Sequence, residues 1–239
     1  MNCFLIYPDE VVGNKAVIYG ERAKELFKRH KLSTGISLKA GIFNSDLGTA
    51  KVLKVGEILE LEFIPKHSPP KRLPVCLLCG LSRPQTVKKI IQSAVLFGIE
   101  ELHFVKTEFG EKSYLDSKLL QQENIQREIE LGLEQAVDTI PPKIYIHRDF
   151  ESFINEKIDT LIKNYQNCFF ADTQNTDCVQ VSKSSNKFLI AIGPEPGWSS
   201  KEKTSFLTKN FKAVSLGERI LRTETASSAL LGIIQSNFS

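Results

Sequence analysis

The sequence predicts an α/β protein in which a parallel-sheet domain follows a small β-rich domain. In the second part of the chain, solid apolar runs such as Val75–Cys79 and Phe188–Ile192 alternate with amphipathic helical patterns. This alternation is typical of a parallel sheet covered by helices on both faces. The first part instead contains short apolar segments separated by turn residues, which favours a small β-barrel or curled sheet.

The boundary between the two parts is predicted at Ile64–Pro74, where four prolines interrupt every periodic apolar pattern. We therefore expect a β-barrel domain over residues 1–70 and an α/β domain over residues 71–239. In the first domain one helix, Glu21–His30, interrupts a series of short strands. These strands are predicted at Phe4–Tyr7, Val17–Tyr19, Ile36–Leu38, Thr49–Val55 and Ile58–Ile64.

The second domain is predicted to alternate strands with helices. Its first helix begins at Pro84, a favoured first-turn residue, and ends before Gly98. The further strands are Leu102–Val105, Ile144–Ile146, Cys168–Ala171, Phe188–Ile192 and Ala213–Ser215. The further helices are Asp116–Val137, Phe150–Lys163, Ser200–Leu207 and Thr223–Asn237.

Composition excludes several classes of protein. The chain has 239 residues, a net charge of +3 and 41% hydrophobic residues, which is typical of a folded globular protein. Its longest apolar runs span about five residues, whereas a membrane-spanning helix needs about 20. Neither a membrane span nor a signal peptide is predicted, and a reducing cytoplasm fits the five cysteines.

No metal site is predicted. The four histidines are scattered along the chain, without the spacing that metal ligands usually show. Cys76 and Cys79 form a C-x-x-C pattern that suggests a redox pair or half a zinc site. They lie on a predicted strand, however, where this spacing points the two side chains to opposite faces. Packing in the core is the favoured interpretation.

Two loops after predicted strands are richer in polar and small residues than a connection requires. The first, Ile192–Glu202, contains two glycines, two prolines and a capping box formed by Ser199 and Glu202. The second, Ser215–Ala226, holds a glycine, two arginines, two glutamates and two threonines. Open parallel sheets bind ligands at loops that follow the carboxyl ends of strands. We therefore expect a binding site formed by these two loops.

Three common ligand motifs are absent from the sequence. There is no G-x-x-x-x-G-K-[ST] segment of a P-loop nucleotidase and no G-x-G-x-x-G after a strand, as in a dinucleotide-binding domain. The G-x-S-x-G segment of an α/β-hydrolase is also missing. These three motifs therefore give no indication of which ligand the two loops bind.

These loops resemble the motifs of a known family. The segment IGPEPGWS, Ile192–Ser199, resembles I-G-P-E-G-G-[FL]-S, and SLGERILRTETA, Ser215–Ala226, resembles L-G-x-R-I-L-R-x-E-T-A. Both motifs are found in the ribosomal RNA small subunit methyltransferase E family, a branch of the SPOUT methyltransferases. The resemblance implies a SPOUT-type α/β domain with a trefoil knot, preceded by a PUA/OB-like β-barrel. It also implies a cytoplasmic homodimer that uses S-adenosyl-L-methionine to methylate N3 of a uridine in 16S rRNA of the small ribosomal subunit.

The resemblance also suggests roles for individual residues. Arg222 would stabilise the uracil anion, because its guanidinium stays charged and presents forked donors. Glu224 would accept the N3 proton, with Glu195 as the alternative base. The structural alternative is an Arg222–Glu224 ion pair that caps the last helix. The implied cofactor-binding residues are Ala171, Ile192, Gly193, Glu195, Gly197, Leu216, Gly217, Ile220, Leu221, Arg222, Thr225 and Ala226.

RNA binding is predicted on the helix of the first domain, which carries a local excess of positive charge suited to phosphate contacts. The predicted RNA-binding residues are Arg22, Lys24, Lys28, Arg29 and Lys31. Two alternatives stay open because the sequence departs from the family at Ser93, Leu96, Asp138 and Pro196. Beside the main interpretation, uridine-N3 methylation of 16S rRNA, the chain could be an RNA-binding protein without activity or a SPOUT enzyme that methylates another RNA site.

Overall fold

The computed structural model describes residues 2–30, 32–175, 177–179 and 187–238 of the 239-residue chain. These residues form two compact units. The first contains Met1–Lys71 together with Glu130–Pro141, and the second contains Arg72–Ile129 together with Pro142–Ser239. The sequence suggested one division near residue 70 and gave no sign that the segment 130–141 groups with the first unit. In the described part of the chain, no helix is both long and apolar enough to cross a membrane.

The first unit is built on a six-stranded mixed sheet and contains helix α1 (Gly20–His30). Its strands are β1 (Phe4–Ile6), β2 (Val11–Val12), β3 (Lys15–Tyr19), β4 (Ser37–Ile42), β5 (Leu47–Lys54) and β6 (Ile58–His67). They pair in the order β1-β4-β5-β6-β3-β2, with β1 parallel to β4 and the other pairs antiparallel. Alternate residues of these strands fill one apolar core, against which Ala23 and Leu26 of α1 pack.

The second unit is an α/β fold with a fully parallel sheet, as the sequence predicted. Its strands are β7 (Leu73–Gly80), β8 (Ile99–Val105), β9 (Lys143–His147), β10 (Asn167–Ala171), β11 (Phe188–Ile192) and β12 (Lys212–Val214). They pair in the order β12-β10-β11-β7-β8-β9. The central strands β7 and β11 are apolar because both of their faces are covered by helices.

Helices pack on both faces of this sheet. They are α2 (Pro84–Leu96), α4 (Phe150–Glu156), α5 (Ile158–Asn164), α6 (Ser200–Thr208) and α7 (Thr223–Gln235), and a further helix, α3 (Gln122–Ala136), belongs to the second unit up to Ile129 and to the first unit from Glu130. Helices α2 and α7 pack against each other, and the thiol of Cys79 lies 4.0 Å from the hydroxyl of Ser227 on α7. On the opposite face, Cys76 packs in an apolar cluster with residues of α4, α5 and α6. The two cysteines of the C-x-x-C pattern therefore point to opposite faces, as predicted.

Several predicted boundaries were wrong. The helix predicted over Asp116–Val137 is two short 3₁₀ turns followed by α3, and the helix predicted over Phe150–Lys163 is divided at Lys157 into α4 and α5. Strand β6 continues to His67 through Pro65, so the segment without regular structure is shorter than Ile64–Pro74. Proline has no backbone N–H, so a strand tolerates it at a position where no N–H is needed to pair with the neighbouring strand.

The histidines that are distant in sequence meet in this fold. Strands β8 and β9 are neighbours, and Nδ1 of His103 lies 2.9 Å from Nε2 of His147. Burial lowers the pKa of His147 to about 4 and also lowers the pKa of His103. Both imidazoles are therefore neutral at neutral pH. The pairing depends on strand order, which the spacing of the histidines along the chain does not reveal.

Candidate functional site

The two predicted loops lie side by side at the carboxyl edge of the parallel sheet. Strands β10, β11 and β12 are neighbours, so the segments that follow Ala171, Ile192 and Val214 emerge at the same edge. The segment after β10 runs beside the end of β12, because the backbone N–H of Asp172 donates to Val214 and that of Ser215 donates to Asp177. The fold therefore brings together three predicted cofactor segments that are far apart in sequence.

The first loop, residues 193–199, is held by close backbone packing. A Cβ atom on Gly193 would lie 2.9 Å from the Cα of Gly197, and one on Gly80 would lie 2.3 Å from the Cδ of Pro194. The N–H of Gly197 donates to the carbonyl of Pro194 over 2.8 Å, which closes a turn. This hydrogen bond does not need an N–H at Pro196. Proline at that position is therefore compatible with the turn.

A capping box ends this loop, as predicted. The side chain of Ser199 accepts from the backbone N–H of Glu202, and the carboxylate of Glu202 accepts from the N–H of Ser199. The other carboxylate oxygen of Glu202 accepts from the backbone N–H of Glu108 over 2.8 Å. One buried carboxylate thus fixes the start of α6 and the segment after β8 together.

The second loop, residues 215–222, has little internal structure. The N–H of Gly217 donates to the hydroxyl of Ser215 over 3.2 Å. Within the described residues, the backbone N–H groups of residues 218–222 make no hydrogen bond. Gly217 has a φ of +102°, and a Cβ atom placed on it would meet nothing within 4 Å. This loop therefore presents backbone donors beside open space.

The aliphatic residues of the second loop differ in how far their side chains are exposed to solvent. The side chain of Ile220 is 84% exposed, so it is not packed in the core. Leu216 and Leu221 are half-buried, and Ala226, on the first turn of α7, is buried. Thr225 is exposed on the same turn. The two loops are linked by Thr223, whose hydroxyl donates to the carbonyl of Gly193 over 3.3 Å.

Both candidate bases are paired with cations from the α2 region. Nζ of Lys89 lies 3.0 Å from a carboxylate oxygen of Glu224, and Nε of Arg83 lies 3.0 Å from one of Glu195. The hydroxyl of Thr86 also donates to Glu195. These pairs connect the start of α2 to the first loop and the body of α2 to the first turn of α7. The sequence gave no signal for Arg83, Thr86 or Lys89, because their partners are more than 100 residues away.

These contacts make both carboxylates weaker bases. Desolvation alone would raise the pKa of Glu224, but its own backbone N–H, Lys89 and Arg222 together hold the pKa below its usual value. For Glu195, desolvation is likewise outweighed by hydrogen bonds from its own N–H and from Arg83, which lower the pKa. Both groups are therefore ionised at neutral pH.

Arg222 is exposed at the start of α7. Within the described residues its guanidinium makes no hydrogen bond and no ion pair, while Glu224 pairs with Lys89. The alternative of an Arg222–Glu224 ion pair that caps the last helix is therefore wrong. The guanidinium keeps its donors available for a ligand.

The basic residues of α1 differ in their contacts. The guanidinium of Arg22 donates to Glu10 and to the carbonyl of Leu5, and Arg29 pairs with Glu134 over 3.2 Å. Both arginines therefore have partners within the first unit. Lys24 and Lys28 are exposed, although Lys24 lies 2.6 Å from Glu21. Lys31, which was also predicted to bind RNA, lies outside the described residues.

Comparison with known proteins identifies relatives over the whole chain. Residues 69–235 match the family described as an RNA methyltransferase domain. The chain is 33% identical to the ribosomal RNA small subunit methyltransferase E of Treponema pallidum, over 99% of this chain and 91% of that protein. It is 30% identical to the ribosomal RNA small subunit methyltransferase E 1 of Borreliella burgdorferi, over 87% of each chain.

Solved structures share the fold. A ribosomal RNA small subunit methyltransferase E from Neisseria gonorrhoeae, bound to S-adenosyl methionine, aligns over 100% of both chains with a TM-score of 0.81 and 18% identity. A putative methyltransferase from Legionella pneumophila, in complex with the cofactor SAM, aligns over 99% of this chain and 98% of its own. Its TM-score is 0.80 and its identity 18%. At this identity the likeness establishes the arrangement of helices and strands.

The Lys89–Glu224 pair predicts a specific effect of pH on stability. The lowered pKa of Glu224 contributes stability that is present above its unfolded pKa and is lost as the pH falls through its folded pKa. We expect Lys89→Met to raise the pKa of Glu224 and to reduce stability at pH 7 by at most about 1 kcal/mol. The difference from the unmutated protein should shrink at pH 3. Carboxyl NMR titration and denaturant unfolding at both pH values measure these effects.

Lys88→Met is the matched control, because it removes the same charge from the same helix but Lys88 pairs with Glu128. That variant should leave the pKa of Glu224 unchanged. Equal shifts in the two variants would contradict a specific Lys89–Glu224 interaction.

Proposed function

The chain belongs to the ribosomal RNA small subunit methyltransferase E family, and from this membership we propose that it methylates N3 of a uridine in 16S rRNA, using S-adenosyl-L-methionine (SAM) as methyl donor. The observation that carries the proposal is the pair of loops at the carboxyl edge of β11 and β12. Both family motifs fall on these loops, and the second one presents unpaired backbone N–H groups beside the open space at Gly217. Such an arrangement suits recognition of an adenine ring by backbone atoms.

The residues around this space fit the cofactor. The backbone donors of residues 218–222 suit the ring nitrogens of adenine, while Leu216 and Leu221 offer apolar contacts. Gly197, whose Cβ atom would also meet nothing within 4 Å, allows a ligand to approach the first loop. SAM supplies a methyl group on a sulfonium, which needs no metal for its transfer. We propose that the predicted cofactor-binding residues act as this set.

Arg222 is proposed as the residue that activates the nucleophile. Uracil N3 carries a proton and attacks poorly until that proton leaves, so negative charge must be stabilised on the ring during the reaction. In the transfer, the N3–H bond breaks, a bond forms from N3 to the methyl carbon, and the carbon–sulfur bond breaks. The exposed guanidinium of Arg222 has free donors to place on a uracil carbonyl oxygen.

The acceptor of the N3 proton is proposed to be Glu224, with Glu195 as the alternative. Both are ionised and therefore able to accept a proton, but their lowered pKa values make them weak bases. A strong contribution from Arg222 to the acidity of N3 would compensate for this weakness. Activity of the Glu224→Gln and Glu195→Gln variants across a range of pH distinguishes the two residues.

The remaining expectations are part of the same proposal. Residues 1–70 would form the RNA-binding domain and residues 71–239 the catalytic domain of a cytoplasmic homodimer. Lys28, and Lys24 with its exposed partner Glu21, supply exposed charge for RNA phosphates, whereas Arg22 and Arg29 pair with the largely buried carboxylates of Glu10 and Glu134. The alternative of an inactive RNA-binding protein rested on Pro196, and the turn closed by Gly197 needs no N–H there.

The test of the proposed function is mass spectrometry of nucleosides from 16S rRNA. A strain that lacks this gene should lose one 3-methyluridine, and the purified protein with SAM should restore it on small subunits from that strain. Loss of a different modified nucleoside would instead support the alternative of another RNA site.

The cofactor position is tested by Gly217→Val. The added side chain would occupy the open space at Gly217, so we expect SAM binding to be lost in calorimetry. Valine at positive φ is also strained, which by itself lowers the melting temperature. Gly35→Val is the matched control, because Gly35 has a φ of +90° and equally open surroundings in the first unit. This control should lower the melting temperature similarly and bind SAM normally. Normal SAM binding by Gly217→Val would place the cofactor elsewhere.

The role of Arg222 is tested by Arg222→Lys. A lysine keeps the charge but cannot replace the planar fork, so turnover should fall by about 10²–10³-fold while SAM affinity changes less. Arg219→Lys makes the same replacement in the same exposed loop and should retain near-normal turnover. Single-turnover methylation and calorimetry provide the two measurements. Equal losses in both variants would argue for a general effect of positive charge.

RNA binding by α1 is tested by a Lys24→Glu, Lys28→Glu double variant. Each phosphate contact that is lost should reduce the slope of log affinity against log salt by about one, and SAM affinity should stay the same. The control is a Lys39→Glu, Lys51→Glu variant, which makes the same charge change at exposed positions of β4 and β5. An unchanged slope in the α1 variant would mean that these lysines are solvated surface residues that do not contact RNA.

A further inference from the structure

A polar cluster lies on the face of the parallel sheet that packs against α4 and α5, in an otherwise apolar region. Glu101 and His103 lie on β8, and their strand partners on β7 are Cys76 and Leu78. Alternate residues of a strand share a face, so Cys76, Glu101 and His103 come together on one side of the sheet. The proposed methyltransferase site does not use any of these three side chains.

We propose that Cys76, Glu101 and His103 form a binding site for a divalent transition metal of the zinc class. One ligand atom of each side chain, the thiol sulfur, a carboxylate oxygen and an imidazole nitrogen, lies within 4.8 Å of the other two. Ligand atoms on a tetrahedral Zn²⁺, each about 2.0–2.3 Å from the ion, lie about 3.3–3.8 Å apart, and Nε2 of His103 is already 3.2 Å from the Glu101 carboxylate. Small rotations of these side chains are therefore enough to coordinate the ion.

The ligand types select the metal. A thiolate and an imidazole favour Zn²⁺ or Co²⁺ over Mg²⁺ and Ca²⁺, which prefer oxygen ligands only. The charges also balance, because a thiolate and a carboxylate together neutralise a divalent ion. This balance matters since Cys76 is fully buried and the His103 side chain is only 6% exposed, where an uncompensated charge is unfavourable. On binding, the Cys76 thiol releases its proton to solvent.

Neighbouring side chains support the orientation that a metal requires. Nε2 of His103 lies 3.2 Å from the carboxylate of Glu101, and its Nδ1 lies 2.9 Å from Nε2 of His147. With Nε2 on the metal, the Nδ1–H group donates to His147, an outer hydrogen bond that fixes the tautomer and the orientation of the ring. The ring of Tyr145 stacks on His103 with centroids 4.6 Å apart, and Phe153 contacts both imidazoles. The imidazole is therefore held in place before a metal arrives.

The position of the cluster indicates a structural role. Cys76 lies four residues before Gly80, where β7 ends, so the cluster is away from the carboxyl edge that holds the candidate site. A bound ion would join β7 to β8 directly, and to β9 through His147. The three protein ligands leave the fourth coordination position to water, so the structural role follows from the position of the cluster and not from the number of its ligands. The ion would thus stabilise the sheet and leave the methyl-transfer chemistry unchanged.

Metal analysis of the full chain tests this proposal. The experiment uses untagged protein with Cys178→Ser, because Cys178 is the exposed cysteine and could bind metal adventitiously. After incubation with one equivalent of Zn²⁺ and gel filtration, elemental mass spectrometry should find about one zinc per chain. Replacement by Co²⁺ should produce the absorption band of a cobalt–thiolate bond.

Three variants locate the site. Cys76→Ser and Glu101→Gln should lower the zinc content to background, and His147→Gln should weaken binding by about 10–100-fold. Glu101→Gln is the variant that guards against misfolding, because its side chain is 21% exposed and the change preserves its shape. The control Cys168→Ser removes another buried thiol of the same core cluster and should keep its zinc.

Two results would overturn the proposal. The first is that protein with an unmutated site retains less than about a tenth of a zinc ion per chain and shows no cobalt–thiolate absorption band. The second is zinc binding that persists in both Cys76→Ser and Glu101→Gln. Normal SAM affinity is expected in every folded variant, so this test is independent of the proposed methyltransferase function.

Discussion

The arrangement of the site depends on the close contact between the first loop and the end of β7. Pro194 lies so near Gly80 that a methyl group on Gly80 would overlap its ring, and a methyl group on Gly193 would lie 2.9 Å from the backbone of Gly197. Two strand ends and a turn are thereby packed backbone to backbone. The carbonyl of Gly193 then receives the hydroxyl of Thr223 and fixes the start of α7. The second loop is anchored at this point, so the geometry of the proposed cofactor space follows from positions where only glycine fits.

Much of the fold could be predicted because its signals are local. Solid apolar runs identified β7 and β11, and the capping box of Ser199 and Glu202 identified the start of α6. The break at Lys157 was missed because neither proline nor glycine marks it. The continuation of β6 through Pro65 was also missed, since a proline usually indicates the end of a strand.

The site could be predicted only where its residues are adjacent in sequence. The two loops were found from their composition, and the fold then placed them at one edge of the sheet. Arg83, Thr86 and Lys89 were missed, because an ion pair between distant residues depends on how α2 packs. The same reason applies to His103 and His147. Their contact follows from the neighbouring positions of β8 and β9, and the spacing of the histidines along the chain does not predict the order of the strands.

The two ion pairs of the α2 region also make the site sensitive to ionic strength. Arg83 and Lys89 are more than half exposed, so salt screens their attraction to Glu195 and Glu224. As salt rises, the ion pairs of α2 with the first loop and with the first turn of α7 weaken at the same time, and the two carboxylates become more basic. High salt also weakens contacts between lysines and RNA phosphates. Cofactor and RNA affinities of this protein are therefore comparable only when they are measured at the same salt concentration.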